Sequence, residues 1–139
     1  KIMYPEEICT PMRLDLTEVG FEEMRNAQDV DAILSEKSGS VLVMINSVCG
    51  CAAGNARPAV KIAAKHSKIP SKLTTVFAGQ DKEAVAKVRD YCLPYPPSSP
   101  SIALFKDGEL VHFIERHHIE GRPAEMIAEN LIQAFDKNC

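Results

Sequence analysis

The sequence lacks several features that would each assign it to a different class of protein. It has no tryptophan, and its longest strongly apolar run, residues 41–45, is far shorter than the roughly 20 residues of a membrane-spanning helix. It has no excess of basic residues, and its formal net charge is −3. That charge does not favour a phosphate backbone or an anionic membrane. We therefore expect no nucleic-acid partner and no membrane association.

The cysteines are too few and too unevenly spaced for a secreted domain held together by disulfides. There are five of them, at positions 9, 49, 51, 92 and 139. A secreted scaffold would carry an even and denser set. We therefore expect a reducing compartment, the cytoplasm, in which paired cysteines are catalytic or metal-binding rather than structural.

Length and composition indicate one globular domain. The chain has 139 residues, of which 45% are hydrophobic and 25% are charged. These values are typical of a single ordinary domain. The proline-rich stretch at residues 94–100 is too short to separate two domains, so we expect residues 1–139 to fold as one unit.

Apolar periodicity and turn residues predict alternating strands and helices. An N-terminal amphipathic helix ending at Gly20 precedes the first strand. Strands are predicted at residues 21–24, 41–45, 73–77, 102–105 and 110–114, and further helices at 28–34, 52–66, 80–91 and after Pro123. This order favours a largely parallel sheet between helix layers, closed by an antiparallel hairpin at Asp107-Gly108. Pro58 should disrupt its helix, because proline removes a backbone donor.

Two cysteines lie where a predicted strand passes into a predicted helix. Cys49 and Cys51 follow the strand at residues 41–45 and precede the small-residue helix that starts at residue 52. In an open α/β sheet, functional sites form at the carboxyl ends of the strands. The dipole and free N–H groups of a helix amino end favour a thiolate, the nucleophilic form of cysteine. Cys49 comes first and is therefore the expected attacking thiol, and Cys51 is placed to resolve a mixed disulfide.

The one-residue spacing gives this pair its own redox character. A ring closed by cysteines so near in sequence should be strained, and strained disulfides are easily reduced. Gly50 should permit a sharp turn and leave room for a partner sulfur. The alternative is that Cys49 and Cys51 are small buried core residues, as free cysteines often are.

A second candidate feature is the proline that enters a later strand. Pro100 follows Ser98 and Ser99 and comes just before the strand at residues 102–105. A proline in this position is a candidate for a cis peptide bond. A cis bond would leave the backbone groups of Ser99 free to pair with an extended substrate beside the thiol. The alternative is a loop proline without a catalytic role.

Five motifs together resemble one bacterial family, the bacilliredoxins, over nearly the whole chain. The motifs are VMINSVCGCAAG at 43–54, ARPA at 56–59, VFAGQDKEA at 76–84, PSSPS at 97–101 and ERHHIEG at 115–121. The resemblance implies an α/β, thioredoxin-like three-layer sandwich with a central mixed sheet and an N-terminal helix extension. It also implies a thiol-disulfide oxidoreductase or isomerase that removes bacillithiol from S-bacillithiolated proteins.

The resemblance also implies roles for particular residues. Cys49 would be the nucleophile that takes bacillithiol onto itself, Cys51 the resolving or auxiliary thiol, and Pro100 the cis proline. Either Cys51 or a second bacillithiol would then release the first. No cofactor would be tightly bound, and bacillithiol would be the low-molecular-weight co-substrate. The partners would be S-bacillithiolated or disulfide-containing proteins.

Four further residues are candidates for substrate binding or redox chemistry. Gly50, Ser99 and Arg57 are the expected substrate contacts, and Arg57 could bind the carboxylate of bacillithiol. The alternative for Arg57 is an ordinary solvated helix residue. Cys139 resembles a cysteine near the carboxyl end of the family and is a candidate third redox thiol or intermolecular link. Its alternative is an exposed spare cysteine.

Four other residues with metal or thiol chemistry are expected to be structural. Cys9 and Cys92 depart from the family pattern and should be buried in the core. His117 and His118 follow the last strand, and adjacent side chains on an extended backbone point in opposite directions. We therefore expect the two histidines to lie in a loop or at an edge, and we expect no metal site.

Three alternative functions stay open from the sequence. The chain could be a disulfide isomerase that acts on ordinary protein disulfides. It could instead bind or deliver a soft metal through Cys49 and Cys51. It could also be a plain binding module of thioredoxin-like shape, in which case Cys49 would have an ordinary thiol pKa of about 8.5.

Overall fold

Five strands and five α-helices make up most of residues 3–139, the part of the chain that the computed structural model describes. The helices are α1 (Glu6–Thr17), α2 (Ala27–Leu34), α3 (Arg57–Ala63), α4 (Lys82–Tyr91) and α5 (Ala124–Asn138). The strands are β1 (Glu22–Glu23), β2 (Ser40–Asn46), β3 (Lys72–Phe77), β4 (Ser101–Lys106) and β5 (Glu109–Ile114). A π-helical turn at Ala52–Ala56 and a 3₁₀ turn at Arg116–His118 complete the order. No described helix is long and apolar enough to cross a bilayer.

The sheet is mixed, with the strand order β1-β3-β2-β4-β5. β3 pairs in parallel with β1 and β2, whereas β4 pairs antiparallel with both β2 and β5. The expectation of a largely parallel sheet is therefore wrong for β4, which pairs antiparallel with β2, whereas the antiparallel β4–β5 hairpin is as predicted. After α4, residues 92–100 carry the chain to the end of the sheet where β2 finishes, so β4 enters from that end. The α/β three-layer sandwich with a mixed sheet is confirmed.

The central strand β2 is covered on both faces, as its apolar run predicts. All seven of its residues are buried. Because successive strand residues face opposite sides, Leu42 and Met44 pack in the cluster that contains α3 and α5 residues. Val43 and Ile45 pack in the cluster that contains α2 and α4 residues. The end of β2 is thereby held between two cores.

The register of the sheet brings three distant segments to that end. Ile45 pairs with Ser101 of β4, and Asn46 pairs with Phe77 of β3. β5 runs against β4, with Ile114 opposite Ile102, so β5 also finishes there. Four segments therefore meet at this end of the sheet: those that follow β2, β3 and β5, and the one that precedes β4.

The helix after β2 is not one regular α-helix, and its irregular part lies before Pro58, where a kink was expected. Its first part is the π turn Ala52–Ala56, in which the Arg57 N–H bonds to the Ala52 carbonyl five residues earlier. Pro58 stands in the first turn of α3, where a missing backbone donor costs least. Wide turns of this kind often mark functional sites.

The β4–β5 hairpin turns at Asp107-Gly108, as predicted, and its tip is bound to the rest of the fold. Both residues have positive φ, 52° and 84°, which suits the two-residue turn that Asp-Gly favours. The Asp107 N–H donates to the Gly39 carbonyl at 2.8 Å, and the Gly39 N–H donates to the Asp107 side chain at 2.9 Å. A Cβ on Gly108 would lie 3.1 Å from the Glu36 carbonyl oxygen. The hairpin tip is therefore closely packed against the loop before β2.

Helix α1 is joined to the domain by a cluster of charges around Arg13. The Arg13 guanidinium is buried and lies 2.9 Å from Glu6, 2.6 Å from Glu23 and 2.8 Å from Asp81. Its Cζ also lies 5.0 Å from the ring centroid of Phe77. One side chain thus connects α1, β1 and the residue that precedes α4. Buried arginines are usually paired in this way, because a buried charge without a partner is costly.

Candidate active site

Cys49 and Cys51 lie on the segment between β2 and the π turn, at the end of the sheet described above. Both thiols are partly exposed, and Cys49 and Cys51 are free cysteines. Their two sulfurs are 2.9 Å apart, within hydrogen-bond distance. The one-residue spacing therefore brings the sulfurs together, as the sequence analysis expected.

The Cys49 sulfur accepts hydrogen bonds from its surroundings. The Ser47 hydroxyl lies 3.1 Å from the Cys49 Sγ. The Ala52 N–H also points to this region and bonds to the Cys49 carbonyl at 3.1 Å. Arg116 stands close enough for its positive charge to act on the sulfur. These groups favour a negative charge at Cys49.

The surroundings shift the pKa values of the two thiols in opposite directions. Burial alone would raise the pKa of Cys49, but hydrogen bonds from Cys51, Ser47 and the Ala52 N–H, with the charge of Arg116, lower that pKa below its ordinary value. Burial raises the pKa of Cys51, and the hydrogen bond to Cys49 and its charge raise it further. The arrangement therefore favours the thiolate form at Cys49 and the neutral thiol form at Cys51.

Pro100 lies at the same end of the sheet as the cysteine pair, and the Ser99–Pro100 peptide bond is cis, as predicted. The sheet register explains this position, because Ser101 pairs with Ile45 just before the cysteine loop. The Ser99 carbonyl accepts a hydrogen bond of 3.0 Å from Arg116 Nη1. The expectation that the Ser99 backbone is free is thus wrong for its carbonyl oxygen. The Leu93–Pro94 bond is also cis, which was not predicted.

A cavity of about 270 Å³ opens in front of Cys49. Six separate segments of the chain contribute to its wall. The lining residues are Tyr4, Ser47, Val48, Cys49, Ala78, Gly79, Arg89, Ser99 and Arg116. Cys49 is thus in contact with a space that a small molecule can enter, and Ser99 faces the same space.

Arg57 is placed differently from both expectations. It is 4% exposed, so it is not a solvated helix residue. Its Nη1 donates to the Asn46 side-chain oxygen at 2.8 Å and to the Ser47 carbonyl at 2.9 Å. Asp15 lies 3.3 Å from its Nε. Arg57 therefore supports the cysteine loop from behind, and it is not among the residues that line the cavity with Cys49.

Gly50 is exposed, and only one of the two reasons expected for it, the sharp turn, is wrong. Its φ lies outside the left-handed region, so the turn does not require glycine. A Cβ built on Gly50 would meet nothing within 4 Å. The residue leaves open space beside Cys49, and its contact with substrate stays a prediction.

The remaining cysteines lie away from the pair. Cys9 and Cys92 are buried, at 0% and 2% exposed, as predicted. Cys139 is partly exposed at the end of α5. α5 begins beside the π turn, where Asn55 bonds to the Arg122 carbonyl, and it is 15 residues long. That length corresponds to about 22 Å, so the structure does not bring Cys139 to Cys49.

The two histidines are closer together than expected. They lie on the 3₁₀ turn Arg116–His118, not on extended backbone, and their ring centroids are 4.0 Å apart. Together with Glu115 they form a group of three metal-ligating side chains whose ligand atoms lie within 4.8 Å of one another. The argument that His117 and His118 must point apart is therefore wrong. Their position in a loop after β5 is as predicted.

Sequence reasoning did not identify two arginines of this site. Arg116 lies within the motif at residues 115–121, and Arg89 lies on α4, in a pattern typical of a surface helix. Both line the cavity. The only signal for Arg116 was its membership of a motif that the resemblance had already singled out, and Arg89 carried none.

Sequence comparison assigns the chain to a family. A family profile described as "Disulphide isomerase" matches residues 4–139. A bacilliredoxin of Cytophaga hutchinsonii is 58% identical over 135 residues, which cover 97% of this chain and 99% of that protein. The chain belongs to the bacilliredoxin family. A second bacilliredoxin, from Halalkalibacterium halodurans, is 52% identical over 98% of this chain and 94% of its own length.

Solved structures place the bacilliredoxin chain in the thioredoxin fold. The thioredoxin of Fasciola hepatica matches with a TM-score of 0.59 and 20% identity, covering 86% of this chain and 100% of that one. A thioredoxin of Schistosoma mansoni matches with a TM-score of 0.57 and 21% identity, covering 84% and 96%. These matches show the fold, and membership of the bacilliredoxin family identifies the chain as a thiol-disulfide oxidoreductase. Redox proteins of this fold need no tightly bound cofactor.

The lowered pKa of Cys49 predicts how its reactivity depends on pH. Because the thiolate persists to lower pH, the midpoint of alkylation by iodoacetamide should lie below the ordinary value of about 8.5. Arg116→Gln removes a charge that favours the thiolate and should move the midpoint upward. The measurement is the rate of alkylation at Cys49 against pH, followed by mass spectrometry. Arg122→Gln, an exposed change outside the cavity lining, should leave the midpoint in place. A wild-type midpoint at or above the ordinary value contradicts the prediction.

Proposed function

We propose that the chain reduces mixed disulfides between bacillithiol and protein cysteines, with Cys49 as the nucleophile. In the first step the Cys49 thiolate attacks the bacillithiol sulfur of the mixed disulfide. A bond forms between Cys49 and bacillithiol, the original disulfide breaks, and the protein sulfur leaves as a thiolate that takes up a proton. The protein cysteine is thereby reduced, and Cys49 carries the cap.

The second step removes bacillithiol from Cys49, and it can follow either of two routes. In one, the thiolate of a second bacillithiol attacks the bacillithiol sulfur of the cap, which releases oxidised bacillithiol and restores the Cys49 thiolate as the leaving group. In the other, Cys51 loses its proton and attacks Cys49, which releases reduced bacillithiol and leaves a Cys49–Cys51 disulfide. A further thiol must then reduce that disulfide.

One observation carries the proposal. The sulfur with the lowered pKa opens onto a cavity of small-molecule size beside the cis Pro100. A thiolate must be accessible to attack a disulfide. The similarity to bacilliredoxins supports bacillithiol as the cap and, with it, S-bacillithiolated or disulfide-containing proteins as partners. The proposed setting is the reducing cytoplasm.

Cys51→Ala separates the two release routes. If a second bacillithiol releases the cap, this variant should remove bacillithiol from a capped model protein within about threefold of the wild-type rate. We expect this result, because the raised pKa of Cys51 makes it a poor attacking thiol at neutral pH. The measurement is mass spectrometry of the model protein over time with bacillithiol in excess. Accumulation of capped Cys49 without turnover would instead require the Cys51 route. Failure of the wild type to act on any capped protein would contradict the proposed function.

A second candidate function is isomerisation of ordinary protein disulfides. The description of the matched family profile favours it. Refolding of a protein with scrambled disulfides distinguishes the two functions, because an isomerase accelerates recovery without bacillithiol. The wild type should be at least about tenfold slower in this assay than in removal of bacillithiol caps.

The soft-metal alternative has no comparable support. Within residues 3–139, Glu115, His117 and His118 form the one group of three metal-ligating side chains, and that group does not include Cys49 or Cys51. Two thiols alone give an incomplete site for zinc, which usually takes four ligands in structural sites.

A further inference from the structure

The cavity beside Cys49 has a positively charged wall. Among its nine lining residues are two arginines, Arg89 and Arg116, and no acidic residue. The rest are apolar, small or hydroxyl-bearing. This is notable in a chain whose formal net charge is −3.

Arg89 differs from the other buried arginines of the fold. Arg13 and Arg57 each lie within ion-pair distance of at least one carboxylate. Arg89 is half-buried, yet no carboxylate of residues 3–139 lies within ion-pair distance of it. Its buried Nε has no hydrogen-bond partner among these residues; the Nε of Arg57 shares that feature but has Asp15 at 3.3 Å. Burying an arginine without a partner costs stability. A partner of opposite charge would recover that cost.

Arg116 approaches the same cavity from the other side. Its Nη1 donates to the Ser99 carbonyl at 3.0 Å, which fixes the side chain beside the cis proline. Its Nη2 lies 3.3 Å from Glu120, in an exposed pair that contributes little. A guanidinium has five N–H donors, so donors of Arg116 stay available for a ligand.

We infer that Arg89 and Arg116 form a carboxylate-binding subsite that holds a low-molecular-weight thiol while its sulfur is attacked by Cys49. A planar guanidinium matches a carboxylate with two parallel hydrogen bonds. The subsite would therefore select small thiols with a carboxylate over uncharged ones. This inference deepens the proposed function, because it assigns the residues that recognise the cap, and it replaces Arg57 in that role.

The size of the cavity favours a small molecule as the occupant over a protein segment. At about 270 Å³ it is just below the range of roughly 300–1,000 Å³ of ordinary ligand pockets. The carboxylate-bearing part of a small thiol would fill such a space, whereas a folded protein surface is too large to enter it. The protein cysteine would then lie at the open side, near Ser99 and Gly50.

The first test uses two small alkylating agents that differ in charge. Iodoacetate carries a carboxylate and iodoacetamide does not, and both modify the Cys49 thiolate. Dividing the rate with iodoacetate by the rate with iodoacetamide cancels any change in the thiolate population. Arg89→Gln should lower this ratio by roughly tenfold or more, the usual effect of losing a hydrogen bond to a charged group. Arg89→Lys keeps the charge and should recover part of the ratio.

A matched control removes a charge from the same helix. Lys87 lies two residues from Arg89 on α4, turned about 200° away around the helix, and pairs with Asp31 at 3.5 Å. Lys87→Gln should leave the ratio unchanged. If Lys87→Gln lowers the ratio as much as Arg89→Gln does, the effect reflects net charge and the subsite is rejected.

The second test uses a model protein capped with either bacillithiol or 2-mercaptoethanol, which has no carboxylate. Arg89→Gln should slow removal of the bacillithiol cap at least tenfold more than removal of the uncharged cap. Equal slowing of both would show a structural effect and would overturn the subsite. The alkylation ratio does not depend on bacillithiol, so it can support the subsite even if the proposed function fails. A normal removal rate with an unchanged ratio would reject the subsite alone.

Discussion

Replacing Cys49 with serine is expected to slow removal of bacillithiol from a capped protein by at least about a thousandfold. The reaction needs a thiolate, and the groups around Cys49 lower the pKa of a thiol. A serine hydroxyl stays protonated in the same surroundings and cannot attack a disulfide. The measurement is the rate of cap release under single-turnover conditions, with protein in excess over substrate.

Cys139→Ser provides the matched control for this prediction. Cys139 is also partly exposed, but it lies at the far end of α5. Its replacement should leave the rate of cap release unchanged. A large loss in Cys139→Ser would support the third redox thiol considered from the sequence. Activity retained by Cys49→Ser would reject Cys49 as the nucleophile.

Replacing Arg13 with methionine is expected to lower the free energy of unfolding by about 3–5 kcal/mol, the usual effect of removing one partner from a buried ion pair. Arg13 faces three carboxylates, and the Asp81 side chain is only 8% exposed. Without Arg13 the buried Asp81 keeps only Arg25, at 3.0 Å. Unfolding by urea, followed by circular dichroism, measures the change.

Arg25→Met is the control, because it removes a charge from the same carboxylate at an exposed position. The Arg25 side chain is 50% exposed, and exposed pairs contribute about 0–1 kcal/mol. The double variant Arg13→Met with Asp81→Asn should be more stable than Arg13→Met alone, since it no longer buries a carboxylate whose one remaining partner is the exposed Arg25. Equal losses in Arg13→Met and Arg25→Met would contradict this explanation.

The sequence predicted the parts of the site that local pattern determines. The cysteine pair follows a strand whose apolar run marks its position in the sheet, and proline chemistry pointed to a cis bond at Pro100. The hairpin was readable from Asp107-Gly108 because few other residues accept two positive φ values. In each case the signal lies within a few residues of the feature that it predicts.

Features created by packing between distant parts of the chain could not be predicted from local sequence patterns. Arg89 and Arg116 reach the cavity from two elements far from residue 49 in sequence. Arg57 has the position of a surface helix residue, but helix packing turns it beneath the cysteine loop. The antiparallel direction of β4 likewise depends on where residues 92–100 return the chain, which strand periodicity does not specify.

The hairpin tip has a practical consequence for protein engineering. A two-residue turn of aspartate and glycine on a surface resembles a convenient place for a peptide tag or for a split of the chain. Here that turn exchanges two hydrogen bonds with Gly39, which directly precedes β2, the strand that leads to the cysteine pair. An insertion at this point would displace the residues that lead into β2, so tags and fusions should avoid the turn.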